Sequence, residues 1–223
     1  MVKATTWTLL VTVGFAVCAN TPGAAAGEAK TRRIFQALRL AAEKATTLDE
    51  SISDANLDKV LDPANTRAET CDRRQEKYVW AITALSERAM SLVLCEVYDE
   101  HLHVRIYKTN TANELILIAW QRGNHGQTWE FEFFDWDLRT DKLVTRTQES
   151  LGLVPPYENE FLTRKHRMKP ADNHRTFFNL QDDGTIEAAP WTWMERRWEQ
   201  RTPAYRISFK WNGAAFSKIK APQ

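Results

Sequence analysis

The chain has 223 residues, 43% of them hydrophobic and 26% charged, a globular composition that excludes a disordered, collagen-like or coiled-coil protein. Lys plus Arg (30) balance Asp plus Glu (29), whereas a protein that neutralises phosphates needs a cationic excess, so nucleic acid is not an expected partner. Residues 27–150 are net acidic and 151–223 net basic, two halves that face each other or average out in solution.

Residues 1–26 read as a secretory signal. Lys3 supplies the positive start, Trp7 to Ala19 the apolar stretch, and Ala24-Ala25-Ala26 the small-x-small pattern, with the cut expected after Ala26. The stretch is too short to span a bilayer, which takes about 20 apolar residues, and no later segment comes near that length. A soluble periplasmic or secreted protein is therefore expected. Cys18 raises a lipoprotein alternative, weakened by the bulky Val17 before it. Loss of Cys18 leaves Cys71 and Cys95, a pair that an oxidising compartment joins as a disulfide. The apolar run around Cys95 suits two buried thiols as well.

Residues 27–223 are expected to form one α+β domain, with helices in 27–75 packed on a twisted antiparallel sheet or sandwich formed by 76–223. Ile34, Ala37, Leu38, Ala41, Ala42 and Ala45 recur at helical spacing, with Thr31 as a cap. A shorter helix is expected from Ser53, carrying Leu57, Val60 and Leu61 until Asp62-Pro63 stops it. From Tyr78 the period changes to two. Strands are predicted at 78–84, 91–98, 102–108, 114–121, 128–136, 142–147, 174–180, 185–189, 204–211 and 215–219. Asn212-Gly213 is the strongest turn signal and predicts a type I′ hairpin with positive φ at both positions. In the strand at 128–136, Trp129, Phe131 and Phe133 fall on one face and Glu130 and Glu132 on the other. The irregular stretch from Leu153 to Asp172 holds the cations Arg164, Lys165 and Arg167 and is the best single candidate for a functional surface element, with a solvated surface loop as the equal alternative.

No Gly-rich phosphate loop, nucleophile elbow or zinc-protease motif is present, and no cofactor is expected. His101 and His103 share a strand face at a spacing that suits two metal ligands, but no third partner is recognisable, so no metal is expected. Most of the tryptophans belong in a core. Trp191 and Trp193 share a face in an extended segment and, with Arg196, Arg197, Trp198 and Arg201, form either an exposed aromatic and cationic patch or a packed part of the core covered by cation-π contacts. These residues, with Arg164, Lys165 and Arg167, are the candidate ligand-binding set. The leading expectation is a non-catalytic binding module of a bacterial-type envelope, with a carbohydrate-like or anionic ligand. A secreted hydrolase of glycan material acting through Glu130 and Glu132 is the alternative from another class. A protein-binding inhibitor or assembly factor is the third.

Overall fold

The computed structural model describes residues 22–46, 48, 52, 57, 58, 60, 61, 80–94, 100–122, 128–162, 174–194, 197–200 and 202–223. The chain is mainly β, in two antiparallel sheets. A helix, α1 (Pro22–Ala42), precedes sheet A, whose six strands follow one another as a simple meander: β1 (Trp80–Leu85), β2 (Ala89–Leu94), β3 (His101–Lys108), β4 (Glu114–Arg122), β5 (Thr128–Asp137) and β6 (Lys142–Arg146). A 3-10 turn (Glu149–Leu151) and a one-turn helix, α2 (Glu158–Phe161), lead to sheet B. Its strands are β7 (His174–Leu180), β8 (Ile186–Met194), β9 (Arg197–Gln200), β10 (Tyr205–Trp211) and β11 (Phe216–Pro222), in spatial order β11-β10-β8-β7, with β9 paired to β8.

Strand β4 explains the layering. Leu115 through Trp120 are all buried, a continuous apolar run of the kind a strand needs when both faces are covered. Ile116, Ile118 and Trp120 join a cluster with Ile34, Ala37, Leu38 and Ala41 of α1 and with Leu57, Val60 and Leu61. Leu115, Leu117 and Ala119 join a second cluster with Phe178, Ile186, Ala188, Ile207, Phe209 and Phe216 of sheet B. Sheet A thus buries side chains on both of its faces. Strand β5 obeys the same rule, with Phe131 and Phe133 facing sheet B while Phe134 and Trp136 face the helical residues.

The predicted apolar stripe is the buried face of α1, but the helix begins at Pro22, where a residue without an N–H costs nothing, and Thr31 lies inside it rather than capping it. No helix among the described residues is long and apolar enough to cross a membrane. Nine of the ten predicted strands match a strand within a few residues, and the tenth, 185–189, runs on to Met194, so the extended segment holding Trp191 and Trp193 is part of β8. Strand β9 was not predicted, and its residues return along β8, pairing Trp191 with Gln200 and Trp193 with Trp198. At the β10–β11 hairpin only Gly213 has a positive φ (+101°); the loop spans four residues because Asn212 Oδ1 accepts from the N–H groups of both Ala214 and Ala215. That bond does the work assigned to a two-residue turn. The start of the irregular stretch is held rather than loose, since Leu153, Pro156 and Phe161 are buried. Ser53, Asp62, Pro63, Cys71 and Cys95 lie outside the described residues.

One buried charge ties three segments together. Glu114, 4% exposed at the start of β4, receives Arg33 of α1 (2.8 Å) on one oxygen and Arg88 of the β1–β2 turn (2.9 Å) on the other. Removing the carboxylate strands two guanidinium groups beside the core, so Glu114→Ala is expected to cost about 3 kcal/mol or more in urea denaturation. A loss under about 1 kcal/mol contradicts this role. Leu117→Ala and Ile116→Ala, one on each face of β4, are each expected to cost about 2–5 kcal/mol by the same measurement.

Candidate functional site

The site grows from the alternation along β3. Leu102, Val104 and Ile106 enter the helix-side core, which turns His101, His103, Arg105 and Tyr107 toward sheet B. Tyr107 is buried in the inter-sheet layer and its hydroxyl donates to the Gly184 carbonyl (2.9 Å). Burial holds that phenol protonated well above the ordinary tyrosine range. One step back along the same face the cover is incomplete, and Arg105 and His103 line a groove of about 250 Å³ between sheet A and the β7–β8 turn.

Arg105 is seated by two features of that turn. Its Nη2 donates to the Asp182 carbonyl, and its side chain lies against Gly184. Gly184 has φ +86°, a left-handed conformation suited to glycine, and an added Cβ would come within 2.5 Å of Nη1 and 2.9 Å of Cδ of Arg105. The turn is internally braced. Gln181 N–H donates to the Thr185 carbonyl (2.8 Å), and Asp183 accepts from both the N–H (2.8 Å) and the hydroxyl (2.9 Å) of Thr185. Those two bonds hold the Asp183 carboxyl below the usual range.

His103 faces Ser91 across β2–β3. The backbone bonds from Leu94 N–H to the Glu100 carbonyl and from Ile106 N–H to the Arg88 carbonyl set the ladder's alternation, which makes Ser91 and His103 a non-hydrogen-bonded pair with closely spaced side chains. Ser91 Oγ and His103 Nδ1 accordingly lie 2.8 Å apart. The Trp129 ring packs 5.0 Å from the imidazole. Burial, reinforced by the neighbouring His101 and Arg105 and opposed by Asp182, pushes the His103 pKa down to about 4, so the ring is neutral at pH 7. A fixed guanidinium, a neutral imidazole and a hydroxyl therefore sit on one wall of a groove whose remainder includes Ala84, Leu85, Ala89 and Leu180.

The sequence-predicted candidates fare differently. Trp191 is 5% exposed and makes an edge contact with Phe177 at 6.0 Å, so it is a packing residue and not an exposed platform; period-two alternation placed it on a sheet face that other residues cover. The side chains of Trp193, Arg197 and Trp198 lie outside the described residues, as do Arg164, Lys165, Arg167, Arg196 and Arg201 entirely. Glu130 and Glu132 do project away from the Phe131 side, but Glu132 accepts the N–H (3.1 Å) and hydroxyl (2.6 Å) of Thr46, which commits it to holding the chain after α1. Among the described residues no group of three or more His, Cys, Asp or Glu is placed to hold a metal ion. Arg105 and Gly184 escaped the sequence reading because they meet only through the stacking of the two sheets. The available signal was a Arg in phase with a buried Tyr on one strand.

The fold and this groove define a two-sheet, mainly β domain with a small inter-sheet cleft. No known protein family and no curated protein matches the chain. Among solved structures, the chain is similar to a domain of an uncharacterized protein from Porphyromonas gingivalis W83, at 13% identity and a TM-score of 0.50, over 86% of this chain and 98% of that one. The likeness concerns the fold alone.

Two outcomes check this geometry. Because the folded-state pKa of His103 lies below the ordinary 6.5, the unfolded chain takes up the extra proton between about pH 6.5 and pH 4, and stability falls as pH is lowered through that window. Urea denaturation of His103→Gln should lose that part of the pH dependence; a slope identical to that of the parent chain contradicts it. Gly184→Ala should displace Arg105 and destabilise the protein by about 1–3 kcal/mol, a cost expected of a strained backbone position. Stability within a few tenths of a kcal/mol of the parent would contradict the close approach.

Proposed function

We propose that the chain is an exported, non-catalytic binding module of a bacterial-type envelope whose ligand is anionic or carbohydrate-like. The observation that supports this reading is the groove itself: its charged group is immobilised before any ligand arrives, by Gly184 beneath and the Asp182 carbonyl beside it. Pre-ordering of a long side chain lowers the entropy cost of binding. Arg164, Lys165, Arg167, Trp193, Arg196, Arg197, Trp198 and Arg201 extend the proposal as further contacts in the net-basic part of the chain. Export rests on Lys3, the apolar stretch and the Ala24-Ala25-Ala26 pattern. A cut after Ala26 leaves the buried stripe from Ile34 to Ala41 in place, in keeping with a single α+β domain over residues 27–223 whose leading helices pack on sheet A.

The engagement of Glu132 by Thr46 withdraws one carboxylate from the hydrolase alternative. A thermal-shift panel of oligosaccharides and polyanions tests the binding reading. A true ligand at about a hundred times its Kd adds about 2.7 kcal/mol and raises Tm by roughly 5–10 °C. Arg105→Gln should abolish the rise if the groove is the site. No rise with any compound contradicts the proposal.

A further inference from the structure

Resting on that binding reading, we propose that the groove at Arg105 takes a monocarboxylate carried on a small apolar body, either a short-chain carboxylic acid or the C-terminal residue of a peptide. Arg105 is the only basic side chain other than the neutral His103 among the groove's lining residues, and a guanidinium fork pairs with a carboxylate through two parallel hydrogen bonds. One of its five N–H donors is spent on the Asp182 carbonyl, which leaves other donors to the ligand. In the tautomer with Nδ1 protonated, His103 donates to Ser91 and releases the Ser91 hydroxyl to donate as well.

The remaining lining sets the rest of the ligand. Asp182 lines the same groove and Asp183 stands in the same turn, so a dianion such as a phosphate monoester is repelled more strongly than a ligand with a single negative charge. Ala84, Leu85, Ala89 and Leu180 offer apolar contact that suits an alkyl or small amino-acid side chain, while Ser86 and Gln181 add hydrogen-bonding groups to the same lining. The volume of about 250 Å³ is below the roughly 300–1,000 Å³ of sites for drug-sized ligands and limits the occupant to a few heavy atoms beyond its carboxylate.

The test is an NMR titration of the full exported domain at pH 7.5, following the His103 imidazole and Arg105 guanidinium signals, with butyrate, N-acetylalanine and their neutral amides as probes. The acids should shift both signals and saturate with a Kd on the order of 1 mM, which a ligand of six to nine heavy atoms permits. The amides should bind at least tenfold more weakly. Arg105→Gln should lose at least tenfold, and Leu85→Asp, at the exposed rim and tolerant of substitution, should lose a similar factor with its circular dichroism unchanged. A tenfold preference for butyrate identifies a small acid; the opposite preference identifies a peptide end. Equal binding of acid and amide, an unaltered titration in Leu85→Asp, or no shift at 20 mM acid overturns the proposal. If a polyanion or oligosaccharide raises Tm while the acids leave His103 unmoved, the binding-module reading stands and this assignment of the groove falls.

Discussion

Everything in this fold depends on one strand having no solvent-facing side. Six consecutive residues of β4, Leu115 to Trp120, are buried, and their alternation sends three toward the helical residues and three toward sheet B. A strand of this kind cannot terminate a structure; it requires a layer on each side. Apolar residues of α1, with Leu57, Val60 and Leu61, share one buried cluster with β4, and residues of sheet B share the other. Glu114 stands where the apolar run of β4 begins. Its two ion pairs join α1 and the β1–β2 turn to β4, adding directionality to an otherwise greasy contact.

The groove is a consequence of that layering. On β3 the same face carries Tyr107, which lies within the inter-sheet core, and then Arg105 and His103, which lie where the cover thins. Charged and polar groups are tolerated there because each has a partner: Arg105 has the Asp182 carbonyl, His103 has Ser91 and the Trp129 ring. The sheets are also tied beyond this point, with Asn110 N–H donating to the Gly213 carbonyl (2.8 Å) and Trp211 Nε1 to the Lys108 carbonyl (2.6 Å). Two turns of sheet B, at Gly184 and Gly213, therefore dock onto one strand and its following turn. Contacts at several points along β3 make the groove a rigid feature of the domain, since a shift at the Gly184 turn would have to be accommodated at the Gly213 turn as well.

Much of the strand pattern was legible in the chain because a half-buried ribbon writes its burial into every second residue. Phe131 and Phe133 against Glu130 and Glu132 is the clearest instance. At Trp191 alternation names the face but not what covers it, and burial decides for packing over exposure. Two-sided burial of β4 was equally visible as an apolar run, yet a run alone does not say which distant segments supply the covers. The groove was the least legible part. Its central contact joins residues 77 positions apart, and Gly184 looks like any other turn glycine until Arg105 is laid on it. The shared strand face of His101 and His103 is legible in the spacing, whereas the cross-strand hydrogen bond of His103 with Ser91 depends on the register of β2 against β3.

Native-state hydrogen exchange resolved by residue tests the central role of β4 most directly. The amides of Leu115 to Trp120 should exchange only through global unfolding and share one free energy with the facing amides of β8 and β10, well above those of the edge strands β6 and β11. If β4 exchanges as readily as β6, or if β8 and β10 open at a separate and lower free energy while β4 stays closed, the two sheets are not one cooperative unit and the account is wrong.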